Sequence, residues 1–116
     1  MLGIFDNSLL SLTSNWSIVI SQSITSNSLN AKLQTNNGIE IHATSFDVKE
    51  GAELILNNAT VTTSENSTYR GLSGTGFTIS AAESKIITID QDTVETTGNQ
   101  NYFASVKLTN ETTFKS

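Results

Sequence analysis

The segment Ile89-Asp90-Gln91-Asp92 holds the pair of residues best suited to chemistry in this chain. Two carboxylates at i and i+2 project to the same side of an extended strand. Such a pair can bind calcium or act as acid and base on a glycan. Glu95 stands close enough to add a third ligand. The competing reading makes Asp90 and Asp92 a solvated corner, because Ile87 and Ile89 read as the inward-facing end of a strand. Arg70 is the only arginine; it follows Tyr69 and precedes the run Gly71-Leu72-Ser73-Gly74-Thr75-Gly76. A cation beside an aromatic platform suits glycan contact, whereas an arginine before a glycine-rich loop ordinarily anchors that loop. Tyr69, Arg70, Asp90 and Asp92 are therefore the candidate ligand-contact residues.

Other chemistries find no support in the residue inventory. His42 is the sole histidine and there is no cysteine, so the usual zinc site cannot be assembled and no disulfide can form. No Ser-His-Asp grouping is legible from the spacing. The glycine-rich run lacks the Gly-Lys-Ser/Thr ending of a phosphate-binding loop. Its glycines are expected to allow positive φ in a wide corner that protrudes from the fold. The calcium-binding nonapeptide repeat is absent. No catalytic residue, cofactor or metal ligand is assigned. Asn15, Asn58, Asn66 and Asn110 each head an Asn-x-Ser/Thr triplet, no more often than so Asn- and Thr-rich a composition gives by itself.

The elements that must position these residues are strands. The 116 residues suffice for one domain with a modest core. Charged residues make up only 15% and the net charge is -5, with Ser, Thr and Asn supplying most of the polarity. That balance disfavours charge-driven disorder and suits exposed strands with Asn-rich corners. Six basic residues scattered singly cannot neutralise many phosphates, so no nucleic-acid partner is expected. No apolar run approaches a membrane span, so no membrane insertion is expected. Residues 1–22 lack a basic start and are interrupted by polar residues, unlike a signal peptide.

Period-2 alternation recurs along the chain. It predicts strands at Ser17 to Ile20, Leu29 to Leu33, Ile39 to Ile41, Phe46 to Val48 and Leu54 to Leu56. Further strands are predicted at Phe77 to Ile79, Ile86 to Ile89 and Phe103 to Leu108. Turn chemistry lies between them at Asn36-Asn37-Gly38, Asn57-Asn58, Gly71 to Gly76 and Gly98 to Asn101. The best helical stretch, Ser80 to Lys85, is too short to stand alone. Two apolar registers superimpose. Phe46, Val48, Leu54, Leu56 and Val61 match Phe77, Ile79, Ile87, Ile89 and Val94, with the extra residues of the second copy in a corner. Phe46 and Phe77 are then equivalent core positions, and Trp16 is placed over the N-terminal end of the core.

A duplicated register of short strands and tight corners predicts an all-β fold, a right-handed parallel β-helix (β-solenoid) of about four or five coils. The alternative is a β-sandwich or jelly roll, whose strands also alternate and recur. The domain spans residues 1–116, with residues 1–37 as less regular N-terminal coils or a cap. Asn and Thr at the corners are expected to form hydrogen-bonded ladders between coils.

The run Gly51-Ala52-Glu53-Leu54-Ile55-Leu56-Asn57-Asn58-Ala59-Thr60-Val61 resembles the rung of right-handed parallel β-helices in bacterial surface proteins. Autotransporter-passenger-like and pectate-lyase-like modules of cell-surface adhesins carry such rungs. The resemblance covers Ser45 to Val94. It implies a non-enzymatic structural or adhesive segment of a larger exported, cell-surface protein. Its partners would be a host glycan or protein surface and the adjacent repeats of the same chain. A phage tail-fibre or virion segment, and a polysaccharide lyase or hydrolase centred on Asp90 and Asp92, are the alternatives.

Overall fold

The computed structural model describes residues 32–109 and 111–116 in full, together with the strand backbone of residues 2–4, 9–12, 17–19 and 24–26. Asn15, Trp16 and Asn110 lie outside the described residues, as does most of the strand expected at Leu29 to Leu33. The strands follow in chain order as β1 (Leu2–Ile4), β2 (Leu9–Leu12), β3 (Ser17–Val19), β4 (Ile24–Ser26), β5 (Lys32–Thr35) and β6 (Glu40–Ala43). Next come β7 (Phe46–Asp47), β8 (Glu53–Thr63), β9 (Ser67–Tyr69), β10 (Leu72–Ala81) and β11 (Ile86–Ile89). The chain closes with β12 (Thr93–Thr96), β13 (Gln100–Phe103), β14 (Ser105–Leu108) and β15 (Thr113–Lys115). No helix occurs among the described residues, so none there is long and apolar enough to cross a membrane.

The strands stack in parallel as a β-solenoid of about four turns. One column holds β1, β4, β7, β9, β11 and β14. A second holds β2, β5, the first half of β8, the first half of β10, β12 and β15. The third holds β3, β6, the second halves of β8 and β10, and β13. The long strands β8 and β10 pass through a corner and so join the second and third columns into one sheet. At that corner Asn58, with φ of 49°, and Thr75 drop out of the pairing, which bends the chain without breaking the ladder.

Alternation explains which residues form the core. Leu33, Leu54 and Leu72 pair in one ladder, and Ile41, Val61 and Ile79 pair in another. Ile87 and Ile89 lie beside Ser67 and Tyr69. All of these are buried. Each aliphatic side chain so enclosed contributes roughly 1.5–3 kcal/mol of transfer free energy. The intervening residues face outward, where Lys32 and Glu53 form an exposed ion pair at 3.3 Å across neighbouring coils. Polar ladders form at the corners, though between unlike residues. The Asn57 N–H donates to Thr35 Oγ1 at 3.0 Å and its Nδ2 donates to the Thr35 carbonyl at 2.7 Å.

The phase of the repeat differs from the sequence expectation. Phe46 belongs to the first column, where it pairs with Ile24, whereas Phe77 belongs to the third, beside Ala59. They are not equivalent positions. The ladder partner of Leu54 is Leu72, and that of Val61 is Ile79. One coil takes from 18 residues, between Leu54 and Leu72, to 23, between Thr78 and Asn101. The two stretches matched in sequence are therefore out of step by part of a coil. They look alike because every column uses the same alternating strand.

The glycine-rich run is also corrected. It does not protrude: Leu72, Ser73 and Gly74 belong to β10 and pair with Leu54, Ile55 and Leu56. Gly74 has φ of 138°, and a Cβ there would overlap the Leu56 carbonyl oxygen of the coil below. Glycine permits this close stacking as well as the dihedral. The stretch Ser80 to Lys85 ends β10 and then turns, with the Lys85 N–H donating to the Ala82 carbonyl at 3.0 Å.

Candidate functional site

Each strand of the first column ends at a corner, and the corners stack. Val48 follows β7, Arg70 follows β9, Asp90 follows β11 and Thr109 follows β14. Stacking brings these four residues together. Arg70 Nε donates to Asp90 Oδ2 at 2.6 Å, and its Nη1 donates to the Val48 carbonyl at 2.7 Å. The Thr109 hydroxyl donates to Asp90 Oδ1 at 2.6 Å. Backbone bonds run alongside, from Val48 N to the Thr68 carbonyl and from Asp90 N to the Tyr69 carbonyl. Arg70 and Asp90, singled out separately in the sequence, are thus joined in a clasp across four successive corners.

The clasp sets the electrostatics. The Thr109 hydroxyl first, and then the Arg70 guanidinium, hold the Asp90 carboxyl below its usual range by hydrogen bonding to its charged form. Both carboxylate oxygens accept charge-assisted or hydroxyl hydrogen bonds, which suits a fixed structural anion. A general base needs an oxygen open to a substrate proton. Asp92 does not join the clasp. Its carbonyl accepts from Thr113 N at 2.9 Å, and the residue is exposed on the corner. Asp90 and Asp92 therefore have separate hydrogen-bond environments.

Tyr69 requires a correction. Alternation in β9 sends Ser67 and Tyr69 inward and Thr68 outward. The Tyr69 ring is fully buried and stacks on Phe46 with centroids 5.6 Å apart. A ligand outside the solenoid cannot reach it, so it is no glycan platform. Burial pushes its phenol well above the usual range, and the neighbouring Ser67 hydroxyl, which stops short of hydrogen-bond geometry, offsets only part of that. No donor or acceptor among the described residues completes a hydrogen bond with its Oη.

Arg70, Asp90 and Asp92 do share a surface groove of about 410 Å³. Glu50 and Gly71 line it as well. Gly71, at φ of 60°, packs so closely on Ala52 that a Cβ would overlap the Ala52 carbonyl. Gln91 is the residue that sequence reasoning missed. Its Oε1 accepts from Leu72 N at 3.0 Å, and its Nε2 donates to the carbonyls of Leu72 at 3.1 Å and Thr93 at 2.8 Å. The side-chain amide thus stands in for a strand at the start of β10. The one signal that could have found it is its place between two aspartates on a corner. No group of three or more potential metal ligands gathers among the described residues. His42 sits on the exposed face of β6.

A second groove, of about 350 Å³, follows the corner between the second and third columns. Asn58, Thr60, Thr75, Thr78, Asn99 and Asn101 line it with amides and hydroxyls and no charge. Asn101 Nδ2 lies 3.5 Å from Thr78 Oγ1, at the outer limit of a hydrogen bond. This surface can exchange hydrogen bonds with a neutral hydroxylated ligand, which the Arg70–Asp90 groove, with its internal clasp, is less free to do.

Comparison of the chain with protein-family models, with curated proteins and with solved structures returns no match.

Proposed function

We propose that this chain is a non-enzymatic structural or adhesive segment of a bacterial cell-surface protein, presenting sheet faces and corners to a host glycan or protein. One observation carries the reading. The side chains best suited to chemistry, Arg70 and Asp90, are joined to each other and to Val48 and Thr109, where they tie coils together. A solenoid of stacked coils is a rigid spacer with repeated faces, and contact through several faces gains affinity by multivalency. In this reading the neutral Asn and Thr groove replaces Tyr69 as the contact surface. The resemblance of the Gly51 to Val61 rung to surface-protein β-helices supports the cellular setting.

The experiment is a binding screen of the protein against neutral glycans and matrix proteins, run beside a cleavage assay on pectic and related polymers. The expected result is saturable binding that the triple change Asn58→Ala, Thr78→Ala and Asn101→Ala weakens at least tenfold, with no cleavage. Polymer cleavage that disappears in Asp92→Asn would overturn the non-enzymatic reading in favour of a lyase or hydrolase. Antibody labelling of intact cells tests the surface location.

A further inference from the structure

We propose that Asn37 is a site of self-modification, at which the Gly38 amide nitrogen closes on the Asn37 side-chain amide and the resulting ring opens to isoaspartate and aspartate. Asn37 is the only asparagine in the chain that is followed by glycine. The pair forms the turn between β5 and β6, and both residues are exposed. Gly38 has φ of 83°, and the position a Cβ would take has nothing within 4 Å of it. The nitrogen is therefore crowded neither by a side chain of its own nor by a neighbouring coil on that side. Among the described residues no hydrogen bond holds the Asn37 side-chain amide.

The other corner asparagines are restrained. Asn66 precedes a small residue too, but its Oδ1 accepts from Ile86 N at 2.8 Å and Ser67 is buried. Asn57 is held to Thr35 through both its N–H and its Nδ2. Asn58 precedes Ala59, which is buried within β8. Asn101 precedes the bulky Tyr102 inside β13. Reactivity among these asparagines is thus sorted by the fold as well as by the following residue.

The chemistry needs only water. The Gly38 nitrogen gives up its proton and attacks the Asn37 Cγ. A new N–C bond forms, the bond from Cγ to the side-chain nitrogen breaks, and ammonia leaves. Water then adds to one of the two ring carbonyls. Opening at Cγ restores the original main chain with aspartate at 37. Opening at the main-chain carbonyl gives isoaspartate, with the chain routed through the side-chain methylene. Nothing is oxidised or reduced. The fold sets a brake on the first step: the Gly38 N–H donates to the Asn58 carbonyl of the next coil at 3.1 Å. A nitrogen engaged in that bond keeps its proton, so ring closure waits on local opening of the corner. Either product adds a negative charge to a chain already at -5. Isoaspartate also lengthens the corner and shifts Gly38 out of register with Asn58, a residue that lines the neutral groove. The inference goes beyond the scaffold reading and needs no ligand.

Prolonged incubation of the folded protein at neutral and mildly alkaline pH, followed by peptide mapping and isoaspartate-specific labelling, tests it. The expected result is conversion of Asn37 ahead of Asn57, Asn58, Asn66 and Asn101, with isoaspartate among the products and a rate that rises with pH. Gly38→Ala is expected to slow the conversion about tenfold, because its Cβ crowds the attacking nitrogen, with an unchanged β-type circular dichroism spectrum. A second measurement stands even where that variant unfolds. The parent protein held in urea, where the Asn58 carbonyl no longer engages Gly38, is expected to convert about tenfold faster than the folded protein. Asn37 still intact in the folded protein once the urea-unfolded protein has fully converted overturns the proposal. Aspartate without isoaspartate overturns it as well, since direct hydrolysis forms no ring. Equal rates in the folded and unfolded states overturn the brake assigned to the Asn58 carbonyl.

Discussion

Ile89 and Leu108 stand side by side in one ladder, yet Ile89 is fully buried and Leu108 is 42% exposed. Their strands are alike in length, and each carries apolar residues at alternate positions. The difference is that Ile89 has a strand on both sides, Tyr69 beneath it and Leu108 above, whereas β14 ends its column. The same contrast separates Val94 from Phe114 and Ile79 from Tyr102. In a solenoid, burial is given by the neighbouring coils rather than by the residue or its strand. A strand paired on both sides is core because of its position, and β14, paired on one side among the described residues, is part-exposed for the same reason.

The largest expected effect breaks that contrast directly. Ile89→Ala should destabilise the protein by about 4 kcal/mol, through lost burial and the cavity left behind. Leu108→Ala should cost about 1 kcal/mol, because half of that surface already meets water. Urea unfolding of the two variants measures the gap. Equal losses would mean that β14 is as enclosed in solution as β11.

Two glycines sharpen the comparison at the backbone. Gly74→Ala should cost about 3 kcal/mol, since its Cβ would enter the Leu56 carbonyl of the adjoining coil. Gly38 also has positive φ, at 83°, but a Cβ there meets nothing within 4 Å. Gly38→Ala should cost only the dihedral penalty, about 1 kcal/mol. Thermal unfolding distinguishes them; similar shifts would mean that the dihedral alone, and not coil stacking, selects glycine at Gly74.

The corner clasp joins the interior to the edge and gives a smaller, pH-dependent effect. Asp90 has its folded carboxyl held below the ordinary value, so its contribution is present above that value and is lost as pH falls through the lower, folded one. Asp90→Asn should therefore lower stability at neutral pH by about 1 kcal/mol, an amount limited by partial exposure of the pair. In acid the variant and the parent should converge. Urea midpoints measured from pH 7 downward check this; a gap that persists in strong acid would assign the clasp to packing rather than charge. The smallest effect is expected at Tyr69. Its hydroxyl is buried without a hydrogen-bond partner among the described residues, so Tyr69→Phe should be neutral or stabilising, within about 1 kcal/mol. A clear loss in the same unfolding assay would show that the hydroxyl is satisfied.

Much of the fold was legible from residues alone. Alternation located β6, β7 and β11 and the beginning of β8, and it correctly marked Asn57-Asn58 as a corner. It failed at the Gly71 to Gly76 run because glycine signals a turn, whereas here it also allows a strand to press against the coil beneath. The candidate site was legible in half. Arg70 and Asp90 do meet, and the corner reading of Asp90 and Asp92 holds, since both follow the end of β11. Tyr69 was misplaced because its position next to Arg70 was read as a shared surface. The period-2 rule sends neighbours to opposite sides, and the strand ends between the two.

What the sequence determined was the kind of structure: short alternating strands, tight corners and too few apolar residues per segment to fold without stacking. Those are local properties, set by side-chain period and turn chemistry. The tertiary structure alone decided the phase. Coils of 18 and of 23 residues put Leu54 beside Leu72 and Thr78 beside Asn101, and they separate Phe46 from Phe77 by column. Three columns share one strand pattern, so the one-dimensional pattern cannot say which column a strand joins. That choice follows from which corners stack and which backbones can approach, and these are contacts between residues about 20 positions apart.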